Sequence, residues 1–92
     1  HPSRPTLVVE VSGSSLQMDR DHKGSLYARA RLADYWIVNL VEGTLEVHRE
    51  PVATLETAAG WRYQEVHSLG RDETVAPVAA PAARIRVADL LP

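Results

Sequence analysis

The sequence predicts an α/β domain built on a mixed β-sheet. An apolar, β-branched run at residues 7–11 leads into a helical segment, and a second apolar run at 35–40 follows that helix. A helical crossover between two apolar strands indicates a parallel pair. Later strand-like segments, separated by turn residues, indicate antiparallel pairing. With 92 residues the chain is the size of one small domain, assigned to residues 1–92.

Composition narrows the expected location and partners. The chain has 45% hydrophobic and 24% charged residues, a formal net charge of -2 and no cysteine. This balance is typical of a globular protein, and it provides no global attraction to nucleic acid or to anionic membranes. No apolar run approaches the roughly 18 residues of a membrane span, and the lack of cysteine excludes a disulfide framework. The cytoplasm is the expected location.

Residues 6–12 predict the first strand, because β-branched residues dominate them. Alternation places Glu10 on the same face as Val8 and Ser12. Both faces are largely apolar, and this pattern predicts a central strand that is covered on both sides. A carboxylate in such a run is expensive to bury without a partner, so Glu10 is a candidate functional residue.

Residues 19–33 predict a helix with Asp19 as its N-cap. At 100° per residue, the apolar side chains form one stripe, made of Leu26, Tyr27 and Ala30. Lys23, the only lysine in the chain, falls in the middle of this stripe, whereas Ser25 falls away from its centre. We therefore expect the lysine to point toward the surface on which the helix packs.

The rest of the chain predicts further strands joined by turns. These are expected at 35–40, 44–50, 61–69 and 84–91, the last with a helical turn at its end. Alternation at 44–50 predicts a half-exposed strand that ends at Pro51, with His48 on the exposed face. Residues 70–83, rich in proline and alanine, predict an irregular connection.

Glu10 and Lys23 are the pair of residues that could carry chemistry. If the helix covers the Glu10 face of the first strand, the lysine approaches the carboxylate. A carboxylate supplies oxygen ligands for a hard divalent cation, and an ammonium group can orient water or offset charge on a phosphate. A buried ion pair with a structural role only is an equally weighted alternative.

Four short motifs, in order along the chain, resemble one known family. They are EVSGSS at 10–15, DRDHKGSLYA at 19–28, DYWIVN at 34–39 and VHREP at 47–51. Their order and spacing resemble the Uma-type restriction endonuclease family, a domain of unknown function within the PD-(D/E)XK nuclease superfamily. The resemblance implies a restriction-endonuclease-like mixed sheet, cleavage of DNA and a Mg²⁺ cofactor, with no small-molecule cofactor.

The resemblance also implies roles for particular residues. Glu10 matches the metal-binding acid, and the main-chain carbonyl of Val11 would be a second ligand. The superfamily lysine normally stands two residues after the acid, where this chain has Ser12. In this family the lysine lies on the following helix, which matches Lys23 as the second catalytic residue. Tyr27 would lie beside it, although a core aromatic is the favoured interpretation.

The chain also departs from the family pattern. An upstream metal-binding Asp would precede Glu10 by some tens of residues, and Gly13 stands where an Asp is usual. We therefore expect that an N-terminal portion is missing and that this fragment is inactive as a nuclease. The alternative is a non-catalytic module, which forms a homodimer or binds DNA and keeps Glu10–Lys23 as an internal pair.

Other polar and aromatic residues receive structural interpretations. His22, like His48, is expected at the surface, and Trp36 is expected in the core rather than as a platform for base stacking. Asn39 is expected to be a turn residue. The arginines at 20, 29 and 31 could line a phosphate groove, but they more commonly form a solvated helix face.

Overall fold

A four-stranded mixed sheet organises the computed structural model, which describes residues 6–14 and 19–92. Its strands lie side by side in sequence order: β1 (Leu7–Ser12), β2 (Asp34–Asn39), β3 (Thr44–Ala53) and β4 (Trp61–Leu69). β1 and β2 are parallel, and the two later pairs are antiparallel. The predicted mixed α/β sheet is therefore confirmed, and the bounds of β1, β2 and β4 agree within one residue with those expected.

The helix described between β1 and β2 is shorter than the predicted one. Within the described residues it is a π-helical turn (Asp19–Lys23) followed by a short α-helix, α1 (Gly24–Arg29). Arg31 then adopts a positive φ of 60°, which no continuing helix allows. The side chain of Asp19, the predicted N-cap, lies outside the described part of the structure. Among the described residues, no helix is long and apolar enough to cross a membrane.

The buried face of α1 differs from the predicted stripe. Gly24, Ser25 and Ala28 are buried, whereas Leu26 is 45% exposed. The prediction followed the larger apolar side chains of the stripe, whereas the helix places its small residues against the sheet. Small residues on the buried face let the helix approach the sheet closely.

β1 lies at an edge of the sheet, so the prediction of a central strand covered on both sides is wrong for the described residues. The carbonyl of Ser12 accepts a 2.9 Å hydrogen bond from the Leu40 amide, and this bond joins β1 to the β2 side. Because backbone groups alternate along a strand, those of Val9 and Val11 point to the open edge. Their side chains are 44% and 65% exposed.

β3 continues through Pro51, which was expected to end it. Pairing with β2 stops at Arg49, so beyond that residue one side of β3 is itself an edge, where proline is tolerated. Glu50 has a positive φ of 61°, yet the pairs on either side, Arg49–Glu65 and Pro51–Tyr63, remain aligned with β4.

Two hydrophobic clusters cover the two faces of the sheet. Under α1 the buried residues are Ala28, Leu32, Tyr35, Ile37 and Tyr63. On the other face they are Trp36, Val38, Leu45, Val47, Val75 and Val87. The last two belong to a C-terminal segment with β5 (Thr74–Val75), β6 (Ile85–Arg86) and a 3₁₀ helix (Val87–Leu90). Trp36 is 1% exposed, which confirms its core assignment.

Candidate active site

Glu10 and Lys23 meet at the open edge of the sheet. Glu10 projects from β1 toward the crossover, and Lys23 ends the π-helical turn above it. The Nζ atom of Lys23 lies 3.2 Å from Oε2 of Glu10, and the side chains are 49% and 20% exposed. The expected approach of these two charges is therefore confirmed. Since both side chains are reached by solvent, this pair lies at the surface rather than in the core.

Two tyrosines also hold the Glu10 carboxylate. The phenol of Tyr27 donates to Oε1 at 2.9 Å, and that of Tyr35 lies 3.4 Å from Oε2. The two rings pack at 4.8 Å between centroids. The hydrogen bond to Glu10, together with burial and the carboxylate charge, raises the pKa of Tyr27 above its ordinary value. Tyr27 is thus half-buried, but it also orients the candidate acid.

The neighbouring backbone supplies a second oxygen at this place. Val11 has its carbonyl directed to the open edge, while Ser12 is buried and 1% exposed on the side shared with Glu10. Glu10 and the Val11 carbonyl are hard oxygen donors of the kind that Mg²⁺ prefers. No group of three or more His, Cys, Asp or Glu side chains that could hold a metal exists among the described residues.

These donors fit a hydrated ion rather than a protein cage. Mg²⁺ is commonly bound through one or two carboxylates and keeps several waters. Glu10 offers one partly exposed carboxylate, and the Lys23 ammonium that occupies one of its oxygens is itself half-exposed. The pair could therefore open to admit a cation without uncovering a buried charge.

A second charged cluster, which the sequence did not reveal, lies on the same face of the sheet. Glu10, Ile37 and Glu46 are register partners across β1, β2 and β3. Arg20 donates through Nε to both oxygens of Glu46 at 2.9 Å, and its Nη2 atom also pairs with Oε2. Arg20 and Lys23, three residues apart in the π-helical turn, thus each bind one carboxylate of the sheet.

His48 belongs to this cluster and is 5% exposed, so its predicted surface position is wrong. Its Nε2 atom lies 3.3 Å from Oε1 of Glu46, and its ring packs between those of Tyr35 and Tyr63. Burial lowers the pKa of His48, against the opposing effect of Glu46. The helix covers this face of β3, which simple alternation could not indicate. His22 is exposed, as expected.

For Glu46 two influences on the pKa compete. Burial acts to raise it, but the hydrogen bonds and positive charge provided by Arg20, with the hydrogen bond to His48, outweigh burial and lower it. Glu46 is therefore an ionised carboxylate with only 4% of its surface exposed. The one sequence signal that could have indicated this cluster is the two-residue spacing of Glu46 and His48, which places both side chains on the same face of β3.

Motif residues on the opposite face have a structural role. Asp34 is fully buried, and its carboxylate accepts from Trp36 Nε1 at 2.6 Å and from Arg49 Nε at 2.8 Å. It also accepts from the Val78 amide at 2.9 Å. These bonds join β2, β3 and the C-terminal segment. The DYWIVN and VHREP motifs therefore contribute to the core on this side.

Asn39, the predicted turn residue, ends β2 with such a role. It is fully buried, and its Oδ1 atom accepts 3.0 Å hydrogen bonds from the amides of Val41 and Glu42. The side chain thereby stabilises the turn into β3, which confirms the interpretation made from the sequence.

The mixed sheet and the helical crossover between its parallel strands are consistent with the restriction-endonuclease-like fold. A model of the Uma2 family, described as "Putative restriction endonuclease", matches residues 1–88. The chain belongs to that family. A search of curated proteins found no match. Membership in a restriction-endonuclease-like family implies a divalent metal ion in general.

Proposed function

We propose that this chain is the nuclease-like domain of a metal-dependent endonuclease, which hydrolyses phosphodiester bonds of DNA. The observation that carries the proposal is the 3.2 Å contact between Lys23 Nζ and Glu10 Oε2 at the open edge of β1. The family relationship supports the same class of reaction. The exposure of both side chains also supports it, because a substrate phosphate can reach them.

Glu10 and the carbonyl of Val11 would hold the divalent ion, which we propose to be Mg²⁺. Bound there, such an ion would supply positive charge that polarises the phosphate and favours ionisation of a water. Glu10 needs a fixed orientation for this task, and the phenol of Tyr27 provides it at 2.9 Å. Tyr27 therefore acts as a positioning residue.

Lys23 would exchange its partner when the carboxylate binds a cation. Its ammonium group pairs with Glu10 and is half-exposed, so little energy is needed to move it into solvent. Released from the carboxylate, it can orient the attacking water or offset the charge that develops on the phosphate oxygens. Both roles use the same position at the end of the π-helical turn.

Two variants, each made in the full-length protein, test this proposal. Glu10→Ala is expected to abolish Mg²⁺-dependent cleavage of DNA and to remove Mg²⁺ binding measured by calorimetry. Lys23→Ala is expected to abolish cleavage but to keep or strengthen Mg²⁺ binding, because the cation no longer competes with an ammonium group. Glu65→Ala and Arg29→Ala, at exposed positions of β4 and α1, are the matched controls. Cleavage that persists in both site variants would reject the proposal.

A second candidate function is a non-catalytic module that forms a homodimer. The observation favouring it is the open edge of β1, where Val9 and Val11 are exposed and their backbone groups point outward. Unpaired edges of this kind pair readily with another strand. Glu10, already held by three donors, would then remain an internal partner of Lys23.

Sedimentation distinguishes this alternative. A dimer that dissociates in Val9→Lys, combined with no Mg²⁺ binding by the unmodified protein, would favour the module over the nuclease. Lysine at an edge opposes strand pairing because its charge must be desolvated. Binding of labelled DNA by the unmodified protein and by Val9→Lys, measured without Mg²⁺, reports whether the module binds nucleic acid independently of cleavage.

A further inference from the structure

A cavity of about 540 Å³ opens beside the Arg20–Glu46–His48 cluster. Its walls come from the π-helical turn, from α1, from β3 and β4, and from the loop at residues 56–58. Its lining includes Arg20, Ser25, His48, Thr57, Arg62 and Tyr63. Its size lies within the range of small-molecule sites. Glu10 and Lys23 do not line it, so it is distinct from the candidate metal site.

The hydrogen-bond partner of His48 determines which ring nitrogen carries the proton. Its Nε2 atom faces Oε1 of Glu46 at 3.3 Å. Glu46 is ionised beside Arg20, and an ionised carboxylate can only accept hydrogen bonds. Nε2 must therefore be the donor. In the neutral imidazole, which burial of His48 favours, Nδ1 then keeps its lone pair and is an acceptor.

This acceptor is available to a ligand. Among the described residues, Nδ1 of His48 has no hydrogen-bond partner. It is also not a fully enclosed atom, because Thr44 Oγ1 is the one described side-chain atom that is both enclosed and without a partner. His48 as a residue is nonetheless only 5% exposed. A buried imidazole whose other nitrogen is fixed by a carboxylate is an oriented group, and here it lines an open cavity.

The remaining walls restrict the kind of ligand. The hydroxyls of Ser25 and Thr57 both donate to the Trp61 carbonyl, at 2.8 and 2.9 Å, and are therefore already used. Tyr63 is buried, and its phenol donates to the Leu32 carbonyl at 2.7 Å. Arg20, which is bound to Glu46, and Asp21 also line the cavity, and the Nδ1 acceptor of His48 lies beside the aromatic ring of Tyr63. That combination suits a flat ring with an N–H donor.

A cation is available at the rim of the cavity. Arg62 is 45% exposed, and its Nε atom lies 3.3 Å from Glu56, which is 74% exposed. Exposed pairs of this kind contribute little, so a phosphate can replace the Glu56 carboxylate on the guanidinium. A ring donor inside and an anion at the rim are together the features of a nucleotide.

We propose that the cavity binds one unpaired nucleotide, with a base N–H donating to Nδ1 of His48 and the phosphate bound by Arg62. This inference goes beyond phosphodiester cleavage, because it assigns a second site that needs neither Glu10 nor a metal ion. The His48–Glu46 pair is a recognition device, and Glu46 acts through His48 by fixing its donor nitrogen.

The test uses the purified protein in metal-free buffer with EDTA and a fluorescent probe, the 5′-monophosphate of 2-aminopurine deoxyriboside. Binding is followed by fluorescence and by NMR of the histidine ring nitrogens. The expected result is a shift of the Nδ1 signal of His48 with no shift at His67. The matched control is His67, which pairs with Glu65 at 3.4 Å at the same two-residue spacing but is 59% exposed.

Two substitutions of His48 distinguish loss of the Nδ1 acceptor from loss of the folded structure. His48→Gln can keep a donor toward Glu46 while removing the Nδ1 acceptor, and we expect about tenfold weaker binding of the probe. His48→Asn keeps an acceptor near the Nδ1 position and should retain more affinity. His67→Gln should change nothing. Thermal unfolding of each variant shows whether the fold persists.

Arg62→Gln tests the phosphate contact. It should weaken binding of the nucleotide several-fold and leave binding of the corresponding nucleoside unchanged. Unchanged affinity in a folded His48→Gln variant would overturn the proposal. So would inorganic phosphate alone binding as tightly as the nucleotide, because the base would then contribute nothing. Loss of probe binding in Glu10→Ala would equally contradict it, since that residue lies outside the cavity.

Discussion

The phenol of Tyr27 donates a 2.9 Å hydrogen bond to Oε1 of Glu10. The bond joins α1 to the edge strand of the sheet at the carboxylate that also receives Lys23. Packing and the candidate chemistry therefore depend on the same few atoms. Measurements that separate stability from activity are needed to assign each residue its role.

The ionisation of Tyr27 reports this hydrogen bond directly. In the unmodified protein its pKa is raised by the hydrogen bond to Glu10, by burial and by the negative charge of the carboxylate. Glu10→Ala should move the pKa back toward its ordinary value, because two of these three causes disappear. NMR of the tyrosine ring carbons during a pH titration measures the change. A pKa that stays raised would show that burial alone produces the shift.

The two cations of the π-helical turn should differ in their effect on stability. Lys23→Met removes a half-exposed pair and should lower the free energy of unfolding by less than about 1 kcal/mol. Arg20→Met leaves Glu46, only 5% exposed at its side chain, with fewer donors, and should cost about 2–3 kcal/mol. Urea unfolding provides both values. Equal losses would contradict the distinction between a surface pair and a buried carboxylate.

Asp34 should be among the most sensitive positions of the domain. Asp34→Ala leaves Arg49 without its carboxylate and removes the acceptor of the Trp36 indole and the Val78 amide, so we expect a loss of about 3–5 kcal/mol. The Val78 amide of this variant should exchange its hydrogen faster than in the unmodified protein, under conditions in which the domain remains folded. Asp72→Ala is the control, because that side chain is fully exposed, and its effect should stay within about 0.5 kcal/mol.

The buried His48–Glu46 pair should make the domain less stable in acid. The pKa of His48 is lowered by burial, so below pH 6.5 the unfolded chain takes up a proton that the folded protein resists. The contribution of His48 to the stability of the fold is complete above pH 6.5, and it declines as the pH falls toward the lowered pKa of His48 in the folded protein. Glu46, whose pKa is also lowered, adds a further decline below pH 4.5. One proton accounts for at most about 1.4 kcal/mol per pH unit.

Chemical unfolding of the unmodified protein and of His48→Gln, between pH 7 and about pH 3, tests this dependence. The variant should lose the decline that begins near pH 6.5 and keep the one that begins near pH 4.5. His67→Gln should show the full pH dependence, since His67 is exposed. An unmodified protein that becomes more stable on acidification over this range would contradict the assigned direction of the His48 shift.

Local sequence patterns predicted most elements of the sheet, because strand formation follows from alternation and β-branching near each residue. Leu7–Ser12, Asp34–Asn39 and Trp61–Leu69 all lie where those patterns placed them. The parallel pairing of β1 with β2 followed from the helical connection. The meeting of Glu10 and Lys23 also followed from periodicity, although Lys23 lies nearer the surface than expected.

Burial could not be predicted in the same way, because it depends on which distant element covers each face. Val9 and Val11 are as apolar as core residues, yet they are exposed because β1 lies at an edge among the described strands. His48 is polar, yet it is enclosed by two tyrosines and the helix. Alternation assigns a side chain to one of two faces, but it carries no information about what lies over that face.

By itself, the sequence determined the α/β class, the positions of the main strands along the chain and the approach of Glu10 to Lys23. Only the tertiary structure decided that Glu46, Arg20 and His48 form a second cluster, and that Asp34 ties the C-terminal segment to the sheet. The physical reason is the range of the interactions: propensity and periodicity act within a few residues, whereas Arg20 and Glu46 are 26 residues apart and Asp34 and Val78 are 44 apart.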